Sequence, residues 1–168
     1  MKYTQNQWSV SSNIKDTNQE SKTISVPDLS FAKDYKKSMD EPNEASITNV
    51  TGDSIVSSEN IRFGSTAVKN IYNGTNTDIT AMHSHKGGVQ VMVELSETYY
   101  ATHEVTGQEV ELPCKGRLVL RFPTASCVTE AMVEDLLKRT ISSALGTGQT
   151  DAKRLVQIAR GALLPDGL

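Results

Sequence analysis

Cysteine is scarce in this chain: Cys114 and Cys127 are the only two. Two thiols make neither a disulfide framework nor a metal cluster by themselves, so neither is expected to hold the fold together. Cys127 reads as a small buried apolar residue, and Cys114, just after Pro113, as an exposed loop residue. Aromatic residues make up only 5% of the sequence, so the core has to come from aliphatic side chains. No apolar run approaches the roughly 20 residues that cross a bilayer as a helix. The opening, Met1 to Gln7, is polar and no apolar stretch follows, so no secretion signal is expected. The acceptor-like triplets at Asn49 and Asn73 then read as chance matches. Positive charge is not in excess either. The net charge of −3 excludes a strongly cationic nucleic-acid binder and leaves room only for a local basic patch. All six arginines lie from Arg62 onward, while the first 60 residues hold six lysines against nine acids.

Signatures of catalysis are missing as well. There is no phosphate-binding loop, no dinucleotide fingerprint and no nucleophile elbow. Carboxylate pairs such as Glu109 and Glu111 read as solvated loop charges. The one enzyme-like feature is His83-Ser84-His85, whose imidazoles would share a strand face, with His103 as a third ligand. A cupin-type site is the analogue. It needs a carboxylate four or five residues past the second histidine, where this chain has Val89 and Gln90. A small metal-dependent enzyme built on His83, His85 and His103 is therefore the rival reading, and a dimeric binding module is a third.

What is present is a chain of 168 residues, enough for one domain with a sizeable core. It centres on residues 115–145. Leu118, Leu120 and Phe122 alternate with Arg117, Val119 and Arg121, the pattern of a half-buried strand that Pro123 stops. Ser126 is the expected N-cap of a helix carrying Val128, Met132, Val133, Leu136, Leu137, Ile141, Ala144 and Leu145 at helical spacing, closed by Gly146. A second helix is expected over residues 150–163, with Leu155, Val156 and Ala159 on its stripe. Both stripes need a cover, so an isolated subunit is not expected to be stable.

Upstream, residues 8–27 read as two short strands around a polar turn, and Phe31, Tyr35 and Met39 as a short helical turn. Short strands follow in "SITNV" and "IRFGSTAV". Then "TDITAMHSHK" and "VQVMVELSETYY", joined by Gly87-Gly88, read as a hairpin. Residues 101–114 form a loop or ribbon with Gly107 at its tip. Strands first and helices last indicate an α+β fold on an antiparallel sheet, one domain overall with residues 1–60 as an N-terminal hairpin or extension and 61–168 as the main part. The sheet face turned from the helices would carry Thr80, Ser84, Lys86, Gln90, Met92, Arg117, Val119 and Arg121. The two arginines stand about 13–14 Å apart at strand rise, a spacing that suits phosphates. Glu94 dilutes that positive field.

From residue 61 to 168 the chain resembles the coat protein of single-stranded RNA bacteriophages, the leviviruses. The resemblance rests on "RFPTA" closing the last strand and "SCVTEAMVEDLL" opening a helix beside a cysteine. It rests also on "TGQEVELP" just before that strand, on the final helix, and on the order of these pieces behind "TDITAMHSHKGGVQVMVELSETYY". It implies an N-terminal hairpin, an antiparallel sheet and two C-terminal helices that clasp a partner's sheet in an intertwined dimer. It implies no enzymatic activity and no cofactor. Dimers would build an icosahedral shell around genomic RNA, assembled in the bacterial host cytoplasm, without a membrane step. The sheet would also bind a genomic RNA hairpin as a translational repressor, through Thr80, Ser84, Lys86, Gln90, Met92, Arg117, Val119 and Arg121. Met132, Leu136, Leu137, Ile141, Leu155, Val156 and Ala159 would lie in the dimer interface. Gly107, Pro113 and Cys114 would lie in an inter-subunit loop near symmetry axes, where some family members carry disulfides.

Overall fold

A computed structural model describes residues 22–52, 58–75, 86–146 and 148–164. One helical turn, α1 (Phe31–Asp34), leads into five strands: β1 (Tyr35–Glu41), β2 (Glu44–Asn49), β3 (Asn60–Val68), β4 (Gly88–Thr102) and β5 (Glu109–Pro123). Two helices follow, α2 (Glu130–Leu145) and α3 (Lys153–Ala159). The chain divides into two compact units, one being Asp28–Thr124 with the whole sheet, the other holding residues 22–27 and both C-terminal helices. The sheet runs β1-β2-β3-β4-β5 with every neighbouring pair antiparallel. The strands-then-helices order thus yields the expected α+β arrangement, an antiparallel sheet followed by two helices.

The sheet's register sorts the side chains. Ile61, Phe63, Val89, Val91, Val93, Leu95, Leu118, Leu120 and Phe122 fall on one face, because each is paired with, or two residues from, another of the set. Within this unit the buried apolar residues are Tyr35, Ile61 and Leu120, and Val93 is left exposed. Asn60 is the first residue of β3, and β2 pairs with β3 from Glu44↔Gly64 to Thr48↔Asn60, so residues 44–49 belong to the same sheet as the main part.

Several local readings need correction. Tyr35 and Met39 are in a strand, not a helical turn. A register shift between Lys37 and Met39 puts Tyr35 opposite Asn49 but Met39 opposite Ser46, on the other face. The spacing of four that suggested a helix therefore spans a bulge. The strand partner of β4 is β3, paired from Asn60↔Ser96 to Val68↔Gly88, with β5 on its other side. The strand expected in "TDITAMHSHK" lies, apart from Lys86, outside the described residues. Gly88 does not make a turn. It is the first residue of β4, and a Cβ there would stand 2.8 Å from both Ile71 Cδ1 and the Phe122 carbonyl oxygen. The hairpin expected over residues 8–27 also lies mostly outside the described residues; residues 22–27 have no regular structure, and the Lys22 ammonium donates to the Gly146 carbonyl.

β5 begins earlier than expected. Pro113 and Cys114 are paired with Thr98 and Glu97 inside the strand, not in a loop. Proline is tolerated because β5 is an edge strand, whose outer side needs no ladder donor. The ribbon reverses at residues 103–108, where Gly107 takes φ +67°. Downstream, the cap of α2 is Thr129, whose hydroxyl accepts from Met132 N at 3.4 Å, not Ser126. Gly146, at φ +84°, closes the helix by donating to the Ser142 carbonyl at 3.0 Å. α3 is shorter than residues 150–163. Gly161 (φ +94°) reverses the chain, and the buried Arg154 guanidinium takes the carbonyls of Ala162, at 2.9 Å, and Leu163.

Candidate nucleic-acid interface

The other face of the sheet is polar, and pairing assembles it row by row. Thr48, Asn60, Ser96 and Lys115 make one row. Ser46, Arg62, Glu94 and Arg117 make the next, then Glu44, Gly64, Met92 and Val119, then Thr66, Gln90 and Arg121. The expected set Gln90, Met92, Arg117, Val119 and Arg121 therefore shares one face, since Gln90 pairs with Arg121 and Met92 with Val119. Lys86 lies just before β4, its carbonyl accepting from Ile71 N at 2.9 Å. Thr80 and Ser84 lie outside the described residues.

The electrostatics of this face differ from a simple basic patch. Glu94 is 3% exposed and sits at the centre. Arg117 donates to its Oε2 from Nε at 2.6 Å and again from its terminal nitrogen, and Lys115 Nζ stands 3.2 Å from Oε1. These two donors, Arg117 first and Lys115 second, hold the Glu94 carboxyl below its ordinary 4.5. Beside it Arg62 donates to Glu44, which lowers that carboxyl and raises the guanidinium. Arg121 and Lys86 pair with no carboxylate among the described residues.

These pairs set a pH window. A carboxylate whose folded pKa is depressed adds stability above its ordinary value and loses it as pH falls through the folded one. Tyr35 acts at the other end: burial, then its hydrogen bond to Glu59, raises its pKa above the ordinary 10.0, so its contribution holds below that value and is lost as pH rises through the raised one. Thermal melts across pH should show a plateau that falls below about 4.5 and again above about 10. Glu94→Gln should shallow the acid limb, and an acid limb identical in that variant would remove Glu94 from the account.

The rival metal reading draws on His83, His85 and His103. His83 and His85 lie outside the described residues. His103 is at the ribbon tip, where its Nδ1 accepts from the backbone N–H of Val105 at 3.3 Å and Thr106 at 3.2 Å. That is the work of a turn cap. Among the described residues no group of three His, Cys, Asp or Glu is placed to hold a metal.

Known structures carry this same architecture. The chain matches a virus-like particle of bacteriophage AVE015 with a TM-score of 0.83 at 23% identity, over 96% of this chain and 99% of that one. The chain has the levivirus coat-like fold. A virus-like particle of bacteriophage GQ-112 matches at TM-score 0.74 and 14% identity, over 92% of this chain and 96% of that one. A virus-like particle of Beihai levi-like virus 32 matches at 0.52 and 18%, over 81% and 92%. No protein-family model matches the sequence, and neither does any curated protein. Within the levivirus coat-like fold, the sequence reading missed Arg62 and Thr66, which extend the polar face onto β3, and the central place of Glu94. The signal was available: Arg62 and Thr66 share parity on one strand, as Glu94 does with Gln90 and Met92. No helix among the described residues is long and apolar enough to cross a membrane.

Proposed function

We propose that this chain is the coat subunit of a single-stranded RNA phage, a structural protein that dimerises, assembles into an icosahedral shell and packages RNA on its polar sheet face. The observation that carries this is the end-to-end match to a shell-forming particle, 96% of one chain on 99% of the other. A match of that extent includes the ribbon and both helices as well as the sheet. Sequestration of one genomic hairpin, with repression of its translation, is a finer activity of the same face.

Two features support the dimer. α2 has no buried residue, and Met132, Leu136 and Ile141 on its stripe stay exposed, as do Leu155 and Val156 on α3. The apolar face of the sheet keeps Val93 exposed, and β5 is a 15-residue edge with no strand beyond it among the described residues. Open edges and apolar stripes of this size are what a second copy would cover. In the intertwined arrangement Met132, Leu136, Leu137, Ile141, Leu155, Val156 and Ala159 meet the partner's sheet, while Gly107, Pro113 and Cys114 on the ribbon meet neighbouring dimers. The test is expression followed by size-exclusion chromatography and electron microscopy. Closed particles holding nuclease-protected RNA are expected, and a soluble monomer without RNA would end the proposal.

Arg121 is the cation on this face best placed to meet phosphate. Arg121→Ala should weaken binding of all RNA sequences alike and lower the salt slope by about 0.7–1 unit. Lys86→Ala should act the same way. Gln90, beside Arg121 in the register, and Ser84 have amide and hydroxyl groups suited to base edges, so their loss should alter preference among hairpins. Filter binding across a salt series with a hairpin and a scrambled control measures both. Unchanged affinity in Arg121→Ala would mean that RNA meets another surface.

A further inference from the structure

We infer that Glu94 is a specificity determinant of the polar face, a carboxylate that keeps Arg117 and Lys115 from indiscriminate polyanion binding. The inference rests on the proposal that this face binds RNA.

Five cations lie in the rows of the face: Lys36, paired with Thr48, and Arg62, Lys115, Arg117 and Arg121. Three of them are engaged by carboxylates, Arg62 by Glu44 and the other two by Glu94. A phosphate approaching Arg117 has to displace a partner bound through two of its nitrogens. Phosphate also meets a carboxylate of its own sign behind the guanidinium. One carboxylate offsets one of these two cations, so the group carries a net charge of +1 and contributes one phosphate contact fewer to counterion release than two free cations would. Arg117 and Lys115 nevertheless keep 52% and 58% of their side-chain surface in solvent, so they are within reach of a ligand. They are masked by charge and not by burial.

The consequence is a division of the face. At one end, Arg121, which pairs with no carboxylate among the described residues, stands with Gln90 and Thr66, a guanidinium beside an amide and a hydroxyl. In the middle, three cations face two carboxylates, and a ligand has to compete with Glu94. A ligand that adds well-placed donors to the carboxylate, or that aligns several phosphates at once, passes this filter, and a structureless polyanion does not. This also gives the acidic balance of the chain a local meaning. The face is not a general cationic sink, and its selectivity comes from one central acid.

The test uses the purified full chain below its assembly concentration and a uridine oligonucleotide as probe, titrated over a salt series. Glu94→Gln keeps the shape and removes the charge; because Arg117 and Lys115 face water, it leaves no buried unpaired cation. It should raise affinity for the oligonucleotide at low salt and steepen the salt slope by about 0.7, the increment for one additional phosphate contact on a single strand. Combining Arg117→Gln with Glu94→Gln should remove that increment. Circular dichroism confirms that the variants fold. If Glu94→Gln does not fold, the Lys115→Gln, Arg117→Gln double variant decides: a drop in salt slope of about 0.7 is expected, and a drop of about 1.4 would show that both cations were free and would overturn the inference. An unchanged slope in folded Glu94→Gln, with Arg121→Ala still weakening binding, overturns this inference and leaves the RNA face standing. Absence of binding in both the parent and Glu94→Gln overturns both.

Discussion

Leu136→Asp should abolish particle assembly. Leu136 lies on the α2 stripe with Met132 and Ile141, and the chain itself buries none of them. In the proposed dimer this stripe is covered by a second copy, and burying a leucine side chain there stabilises by about 1.5–3 kcal/mol. The substitution removes that and adds a carboxylate whose desolvation costs several kcal/mol without a partner. A two-fold arrangement counts both losses twice. The result expected from size-exclusion chromatography and electron microscopy is a complete loss of particles, with aggregate or unfolded protein in their place. Leu155→Asp on α3 should do the same. Lys138→Gln is the control: its ammonium pairs with Glu134, at 2.6 Å on the exposed side of the same helix, and its loss should leave particles intact. Normal particles from Leu136→Asp would move the dimer interface off this helix.

Gly88→Val should cost more stability than any other single change on the sheet that leaves charge untouched. A Cβ at this position meets the Phe122 carbonyl oxygen and Ile71 Cδ1, both at 2.8 Å, and neither can leave without opening the β4–β5 ladder or displacing the turn that follows β3. Overpacking of this kind costs about 1–3 kcal/mol for a first methyl and more for a branched side chain against backbone. At roughly 2–4 °C per kcal/mol for a chain of this length, the melt should fall by several degrees at least. Gly88→Ala should give a smaller drop of the same sign. Gly64 supplies the contrast. Its added Cβ would meet Met92, the flexible Cε at 3.2 Å and the Cβ at an ordinary 3.8 Å, so Gly64→Ala should be close to neutral. Equal melts for Gly88→Val and the parent would mean that the β4 start is looser than its contacts indicate.

Alternation and punctuation were enough to read much of this architecture. Leu118, Leu120 and Phe122 marked the inward side of β5, Pro123 its end, and Gly146 the end of α2, because strand period, a missing N–H and a left-handed cap are properties of neighbouring residues. The same parity placed Gln90, Met92, Arg117, Val119 and Arg121 on one face before any pairing was known. The order of strands before helices set the class.

Pairing between distant segments was decided only in three dimensions. Nothing local in β4 says that its neighbour is β3 rather than residues 77–86, since both candidates alternate and the choice depends on which apolar rows meet across the ladder. The bulge at Lys37 and Met39 hid a strand behind helical spacing, because one extra residue changes parity without any mark in composition. Gly88 looked like a turn residue and is instead a place where backbone and Ile71 come too close for a side chain. The site shows the same divide. Sequence identified the arginines as a pair of equals, four residues apart on one strand. Register then set Glu94 opposite Arg117 and Gln90 opposite Arg121, and that single offset bound one guanidinium to a carboxylate and left the other with no carboxylate partner among the described residues.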